Sequence, residues 1–187
     1  VTRDCGFLEF TVTDGGREID MLHCAPWVMA HEDIDPAIAP HLRGLRGDFF
    51  CAPFADASRD AALMHGATAN GEWLARKAET KGERVTGCWT LKGRALGAEV
   101  TKEIGLGAGH PFVYQRHTLS GGAGSWPVAT HAMLAVQDGA VIRTSPKRIW
   151  ETPDTPQESY PVRGRSHLAY PFRSADPACF GAADGGR

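Results

Sequence analysis

Short runs in which hydrophobic and polar residues alternate recur along the chain, and most of them are bounded by glycine. Successive side chains of a strand point to opposite faces, so this alternation, with many Val, Ile, Phe, Thr and Trp, predicts half-buried strands. The predicted strands are residues 6–13, 17–23, 48–54, 83–91, 98–106, 112–119, 128–136 and 140–144. The pattern indicates an almost wholly antiparallel all-β fold.

Glycine turns separate these strands at residues 14–16, 81–82, 92–93, 121–122 and 138–139. Asp-Gly and similar pairs are typical of hairpins, because glycine adopts the positive φ angles that tight turns require. Only residues 56–64 have a helix-like pattern, with Ser58 as the candidate N-cap. The proline-containing segments 31–41 and 151–161 are predicted to be extended surface loops.

Length and composition limit the classes of protein that need to be considered. A chain of 187 residues predicts one domain over residues 1–187. Lys and Arg total 20 against 22 Asp and Glu, so no positive field favours nucleic acid as a partner. The absence of a long apolar run and of a signal-peptide pattern predicts a cytoplasmic protein without membrane contact. Five scattered cysteines without a C-x-x-C pair predict free thiols. The oligomeric state is not predicted.

The first candidate site surrounds His65. Gly66 leaves the imidazole uncrowded, and Asn70 and Trp73 follow closely along the chain. An amide and an aromatic ring near a histidine suit a polyol, because small-molecule sites combine an apolar wall with a few polar groups. The alternative interpretation is a loop histidine next to a core tryptophan.

The second candidate site lies on the strand predicted at residues 112–119. In a regular strand, Val113, Gln115 and His117 share one face. His117 is the preferred catalytic histidine because it lies beside Gln115 and close to a glycine turn, whereas His110 falls on the other face.

A third histidine, His131, lies opposite the apolar face of its strand and either lines a concave surface or faces water. No His-x-His pair of the kind that places metal ligands on one strand face occurs, and convergence of His110, His117 and His131 across strands is the alternative that would allow a metal ion. We therefore predict neither a metal ion nor any other cofactor.

In order and spacing, the segments 50–54 (Phe-Cys-Ala-Pro-Phe), 65–73 and 113–122 resemble the aldose 1-epimerases, or galactose mutarotases. Those enzymes have a Phe-Pro-Phe segment, a His-Gly loop followed by Trp, and a strand with a second His before a glycine turn. The resemblance covers residues 1–140. It implies an antiparallel β-supersandwich of the galactose mutarotase type, truncated on its C-terminal side, that acts as a cofactor-independent isomerase on a small-molecule sugar.

The chain departs from the family at three points. One is the strand histidine, which in the family is followed closely by aromatic residues and Asn, whereas His117 is followed by Thr118-Leu119-Ser120. The family has Asn-Arg after the proline-aromatic segment, where residues 55–57 are Ala-Asp-Ala and Arg59 is a displaced substitute. The family's general base is a Glu near the C-terminus, but no Glu follows Glu158. The alternatives are that the base lies beyond Arg187, that Glu151 or Glu158 replaces it, or that the protein binds sugar without catalysis.

Exchange of sugar anomers needs a base at the C1 hydroxyl and an acid at the ring oxygen. The resemblance implies that His117 is the protonated acid and that His65 is the second catalytic group. The predicted substrate-binding residues are Asn70, Trp73, Gln115 and Arg59. The alternative function is a non-catalytic carbohydrate-binding β-sandwich.

Overall fold

The computed structural model describes residues 1–54, 64–136, 145–146, 148–151 and 173–175. Every strand pair in these residues is antiparallel, and the helices are single turns, so the predicted antiparallel all-β class is confirmed. The elements are β1 (Thr11–Asp14), β2 (Arg17–Asp20), α1 (Pro26–Met29), α2 (Pro40–Arg43), β3 (Asp48–Cys51), α3 (Gly66–Asn70), β4 (Trp73–Lys81), β5 (Arg84–Leu91), β6 (Ala98–Gly107), β7 (Val113–Gly121), β8 (Ala129–Ala132), β9 (Trp150–Glu151) and β10 (Arg173–Ser174).

Four consecutive strands form the largest sheet, in the order β4-β5-β6-β7. Alternation is clearest on β6, where Ala98, Val100, Lys102 and Ile104 are buried. The register pairs Lys102 with Trp89 on β5 and with His117 on β7. Because directly paired residues lie on the same face of a sheet, these three side chains belong to its inner face.

A shorter sheet of β3 and β8 covers this inner face. Phe50 of β3 packs in one core cluster with Trp73, Leu91 and Val100 of the four-stranded sheet. A second cluster, which includes Phe7 and Phe49, lies among β3, α3 and the N-terminal segment. The two sheets therefore form a sandwich, and β3 has a packed layer on both of its faces.

The chain divides into two compact units, Val1–Ala135 and Val136–Arg187. The first contains β1 to β8. The described part of the second is the pair of β9 and β10, where Arg173 Nε lies 3.4 Å from Glu151 Oε2.

Most predicted strands are present in shortened form, but β4 was not predicted. Its residues are mostly exposed after Trp73, and an irregularity between Ala75 and Lys77 interrupts the alternation on which the prediction relies. The segment predicted as a loop at 31–41 ends in α2, which begins at Pro40. The predicted strand 140–144 and nearly all of the predicted helix 56–64 lie outside the described residues.

Cys5, Cys24, Cys51 and Cys88 are free thiols, as predicted, and Cys179 lies outside the described residues. Among the described helices, none has the length and apolar character needed to cross a membrane.

Candidate active site

Strand β3 separates two groups of histidines. Its neighbouring residues Phe49 and Phe50 point to opposite faces of the strand. Phe50 stacks on His117, with ring centroids 4.0 Å apart. Phe49 stacks on His131, with ring centroids 4.6 Å apart, and these two residues are also direct partners in the β3–β8 register.

Three imidazoles meet on the Phe49 side, and we call them the histidine cluster: His41, His65 and His131. The ring centroid of His65 lies 5.3 Å from that of His41 and 5.4 Å from that of His131. Phe54 stacks on His65 at 5.1 Å and is 42% exposed. The cluster is therefore reached from one partly open, aromatic side.

The backbone around His65 is held in an unusual conformation. His65 has a φ of 63°, in the left-handed region that is unfavourable for a residue with a side chain. Gly66 follows with a φ of 73°, and a Cβ atom there would lie 2.4 Å from the carbonyl oxygen of Ala52. The Thr68 hydroxyl accepts a 2.7 Å hydrogen bond from the Ala52 N–H. These contacts fix the His65 turn against the end of β3.

Asn70 connects this turn to His41. Its Nδ2 donates to the carbonyl oxygens of Met64 and Gly66, at 2.8 and 2.9 Å. Its Oδ1 lies 2.8 Å from His41 Nδ1 and also accepts from the His41 backbone N–H at 3.3 Å. Because an amide oxygen only accepts, Nδ1 of His41 carries the proton and Nε2 keeps a lone pair in the neutral ring.

The environment of His41 and His65 favours neutral imidazoles. Burial, with the charges of His41 and His131 as further causes, lowers the pKa of His65 to about 4. Burial also lowers the pKa of His41, against the opposing effect of its hydrogen bond to Asn70. Among the described residues, no hydrogen-bond partner is present for the buried atoms His41 Nε2, His65 Nδ1 and His131 Nδ1. Nor do the described residues contain a group of His, Cys, Asp or Glu arranged to hold a metal ion.

The Phe50 side of β3 contains a different polar group, which we call the inter-sheet cluster: Asp48, Lys102, Gln115 and His117. Gln115 Nε2 donates to Asp48 Oδ2 at 2.5 Å. Lys102 is 1% exposed, donates to the Gly6 carbonyl oxygen at 2.5 Å, and lies 4.7 Å from the Trp73 ring centroid. The cluster thus connects both sheets to the N-terminal segment.

Burial dominates the electrostatics of the inter-sheet cluster as well. It raises the pKa of Asp48 and lowers that of Lys102 to about 8, and in each case the opposite charge of the other group counteracts the shift. Burial, followed by the charge of Lys102, lowers the pKa of His117 to about 3. Burial therefore favours the neutral form of His117 near neutral pH, and its role as the acid stays a prediction.

The structure brings together only some of the residues predicted to form the site. His65 and Asn70 are neighbours through the turn described above, whereas His117 and Gln115 lie on the other side of β3. Trp73 is 1% exposed and donates to the Thr68 carbonyl oxygen at 2.9 Å, so its ring is part of the core and has no open face for a sugar.

Of the remaining predicted groups, Arg59 and Glu158 lie outside the described residues. Glu151 is exposed and lies on β9 in the second unit.

His41 and His131 were not selected from the sequence as catalytic. His131 was placed on the polar face of its strand, but its partner strand, β3, lies far away along the chain. His41 was assigned to an extended loop, although Pro40 directly before it is typical of the first position of a helix. Pro40 was therefore the feature of the sequence that could have predicted that a helix begins there.

The chain was also compared with known proteins. It matches no family model, no curated protein and no solved structure at a significant level.

Proposed function

We propose that the protein is an aldose 1-epimerase that acts through the histidine cluster, with His65 and His131 as the catalytic pair. The observation that supports this proposal is the meeting of three imidazoles around Phe49, each with a buried nitrogen that lacks a partner among the described residues. Unpartnered polar atoms in a protein interior are costly, and they are concentrated where a ligand completes them. In this proposal His131 takes the role that the sequence assigned to His117.

The reaction moves one proton from the hydroxyl on C1 of the pyranose to the ring oxygen. With a pKa of about 4, His65 is neutral near neutral pH, so it offers a lone pair to the C1 hydroxyl. A proton on His131 further disfavours one on His65, because the two charges repel each other. In this proposal His65 acts as the base and His131 as the acid.

The other groups around the pair would orient the sugar. The exposed ring of Phe54 provides an apolar surface for the C–H face of a pyranose. Asn70 uses all its polar atoms on His41, Met64 and Gly66, so we assign it to positioning rather than to direct sugar contact. The free thiols of the described chain favour a reducing compartment, which is consistent with a cytoplasmic enzyme.

The test is the rate at which freshly dissolved α-glucose and α-galactose reach anomeric equilibrium, followed by polarimetry and corrected for the buffer rate. We expect His65→Asn and His131→Asn each to lower the enzymatic rate by about 10²–10⁴, the usual contribution of a general acid or base. His117→Asn is the matched control, because His117 also stacks on a phenylalanine of β3 but on the other face. It should leave the rate near that of the wild type.

Loss of activity in His117→Asn with retention in His131→Asn would refute the assignment of the pair. A wild-type protein that changes its tryptophan or histidine signals on sugar addition, but gives no rate above buffer, would refute the enzyme and favour the carbohydrate-binding alternative. Circular dichroism of each variant establishes that the fold is unchanged.

A further inference from the structure

A cleft of about 700 Å³ lies on the side of α2 that carries Pro40 and Arg43. Its other walls come from the N-terminal segment and from residues 70–72, and Asn70 is part of the lining. The cleft does not include any residue of the histidine cluster. Its residues are Thr2, Arg3, Asp4, Cys5, Phe7, Pro40, Arg43, Gly44, Arg46, Asn70, Gly71 and Glu72.

Three arginines line the cleft. Arg3 is occupied, since its guanidinium is hydrogen-bonded to Glu72, which Lys92 also contacts at 2.8 Å. Arg43 uses only Nε, which donates to the Ile38 carbonyl oxygen at 3.0 Å. The terminal nitrogens of Arg43 therefore have no hydrogen-bond partner within the described part of the chain.

Arg46 contacts Phe7 and Glu9, but its Nε–H group makes no hydrogen bond among the described residues. Its guanidinium carbon lies 5.8 Å from the centroid of the Phe7 ring, and its Nε lies 3.3 Å from Glu9 Oε2. That Nε is nevertheless buried and makes no hydrogen bond among the described residues. The Glu9 carboxylate thus balances part of the Arg46 charge without forming a hydrogen bond to this N–H, and a buried guanidinium N–H without a hydrogen bond favours a further oxygen ligand.

Two carboxylates also line the cleft. Glu72 is shared by Arg3 and Lys92, and Asp4 forms no ion pair with a described residue. Burial, followed by the charge of Asp4, raises the pKa of the Cys5 thiol, and the charges of Arg43 and Arg46 counteract this shift, so both arginines lie near the thiol. Glu9 balances part of the Arg46 charge, whereas Arg43 forms no ion pair among the described residues and supplies a positive charge to the cleft.

We propose that this cleft binds the phosphate group of a small ligand, with Arg43 and Arg46 as the groups that hold it. Guanidinium N–H groups match the geometry of phosphate oxygens, and a partly buried position strengthens the bonds relative to those at an open surface. This site is separate from the proposed sugar reaction, and its test does not measure that reaction.

The test is a titration of the full chain with inorganic phosphate, followed by calorimetry and by the NMR signal of the Arg46 Nε–H group. Phenyl phosphate in a parallel titration distinguishes free phosphate from a phosphomonoester, and sodium chloride at the same ionic strength removes general salt effects. We expect saturable binding of phosphate or of the monoester, with a shift of the Arg46 signal.

Arg43→Gln and Arg46→Gln should each weaken this binding by about tenfold or more, as expected for loss of a hydrogen bond to a charged group. Arg116→Gln is the matched control, since Arg116 is an exposed arginine of β7 that faces Glu103 outside the cleft. Absence of saturable binding, an unchanged Arg46 signal, or equal weakening by all three substitutions would overturn the proposal.

Discussion

The two faces of β3 look alike in composition but differ in what surrounds them. Each carries a phenylalanine stacked on a histidine, with Phe50 on His117 and Phe49 on His131. On the Phe50 face, the histidine adjoins a buried lysine and a buried aspartate between two sheets. On the Phe49 face, the neighbours are two further imidazoles on short helical segments and a partly exposed phenylalanine.

In the proposed function, the Phe50 face has a structural role and the Phe49 face a catalytic one. Lys102 and Asp48 are buried between two sheets, so removal of either charge should mainly affect folding. The imidazoles of the histidine cluster lie beside a partly exposed phenylalanine, so we expect their removal mainly to affect function. Both faces contain buried polar atoms without a hydrogen-bond partner among the described residues, and on the Phe50 face these are His117 Nε2 and Asp48 Oδ1.

The largest expected effect is on the Phe50 face. Lys102→Met keeps the apolar stem but removes the amine that donates to the Gly6 carbonyl oxygen and the positive charge that counteracts the raised pKa of the buried Asp48 carboxyl group. We expect the free energy of unfolding to fall by about 3–5 kcal/mol, measured by urea denaturation.

Lys92→Met is the control for this substitution. Lys92 also contacts a carboxylate, that of Glu72, but its side chain is 64% exposed, so we expect a loss below about 1 kcal/mol. The double variant Lys102→Met/Asp48→Asn should recover part of the lost stability, because it also removes the negative charge of the buried Asp48 carboxylate. Equal effects of the two lysine substitutions would contradict the structural role of the inter-sheet cluster.

The next effect is on the Phe49 face. Gly66→Ala places a Cβ atom 2.4 Å from the Ala52 carbonyl oxygen at a φ of 73°. We expect a loss of about 2–4 kcal/mol, from the left-handed conformation and from displacement of the packed backbone. Because the displaced turn carries His65, sugar turnover by the molecules that remain folded should also fall.

Gly82→Ala separates the cost of the left-handed conformation from the cost of displacing packed backbone. Gly82 has a φ of 58°, but no atom lies within 4 Å of an added Cβ. We expect it to cost only about 1 kcal/mol, again from urea denaturation, and to leave turnover unchanged. If Gly66→Ala behaves in the same way, the close packing of the His65 turn on β3 has no energetic consequence.

A further effect is the pH dependence of stability, to which both faces contribute. The pKa of His65 is lowered from 6.5 to about 4 and that of His117 from 6.5 to about 3. The unfolded chain therefore binds more protons than the folded chain below pH 6.5, so folding is weakened as the pH falls. The loss grows until each folded pKa is passed, whereas the raised pKa of Asp48 acts in the opposite direction.

Urea midpoints measured in steps from neutral pH towards the folded pKa values check this prediction. His65→Asn and His117→Asn should each make the stability less dependent on pH, and the double variant should have the flattest profile. A wild-type midpoint that does not decrease over this range would contradict the burial of neutral rings on both faces.

Local pattern was sufficient for much of the fold. Alternation predicted β5, β6 and β7, and glycine pairs predicted the turns, because both signals lie within a few neighbouring residues. The same rule placed Val113, Gln115 and His117 on one face, and His117 is indeed paired with Lys102 on the inner face of the sheet. Strand β4 was missed, because its irregularity at Ala75 and Lys77 breaks the period of two.

The candidate site was predictable only in part. His65, Gly66 and Asn70 are close along the chain, so the sequence could indicate that they belong together. The pairing of His65 with His131 depends on the contact of β3 with β8, and on a turn that packs against Ala52.

The amino-acid sequence by itself determined most of the strands, many of their turns and the side of a regular strand on which a residue lies, since these follow from backbone geometry over short distances. Only the tertiary structure decided which histidines meet and which face of β3 is enclosed. Strand pairing across about eighty intervening residues is set by the packing of the whole sandwich, and no local pattern encodes it.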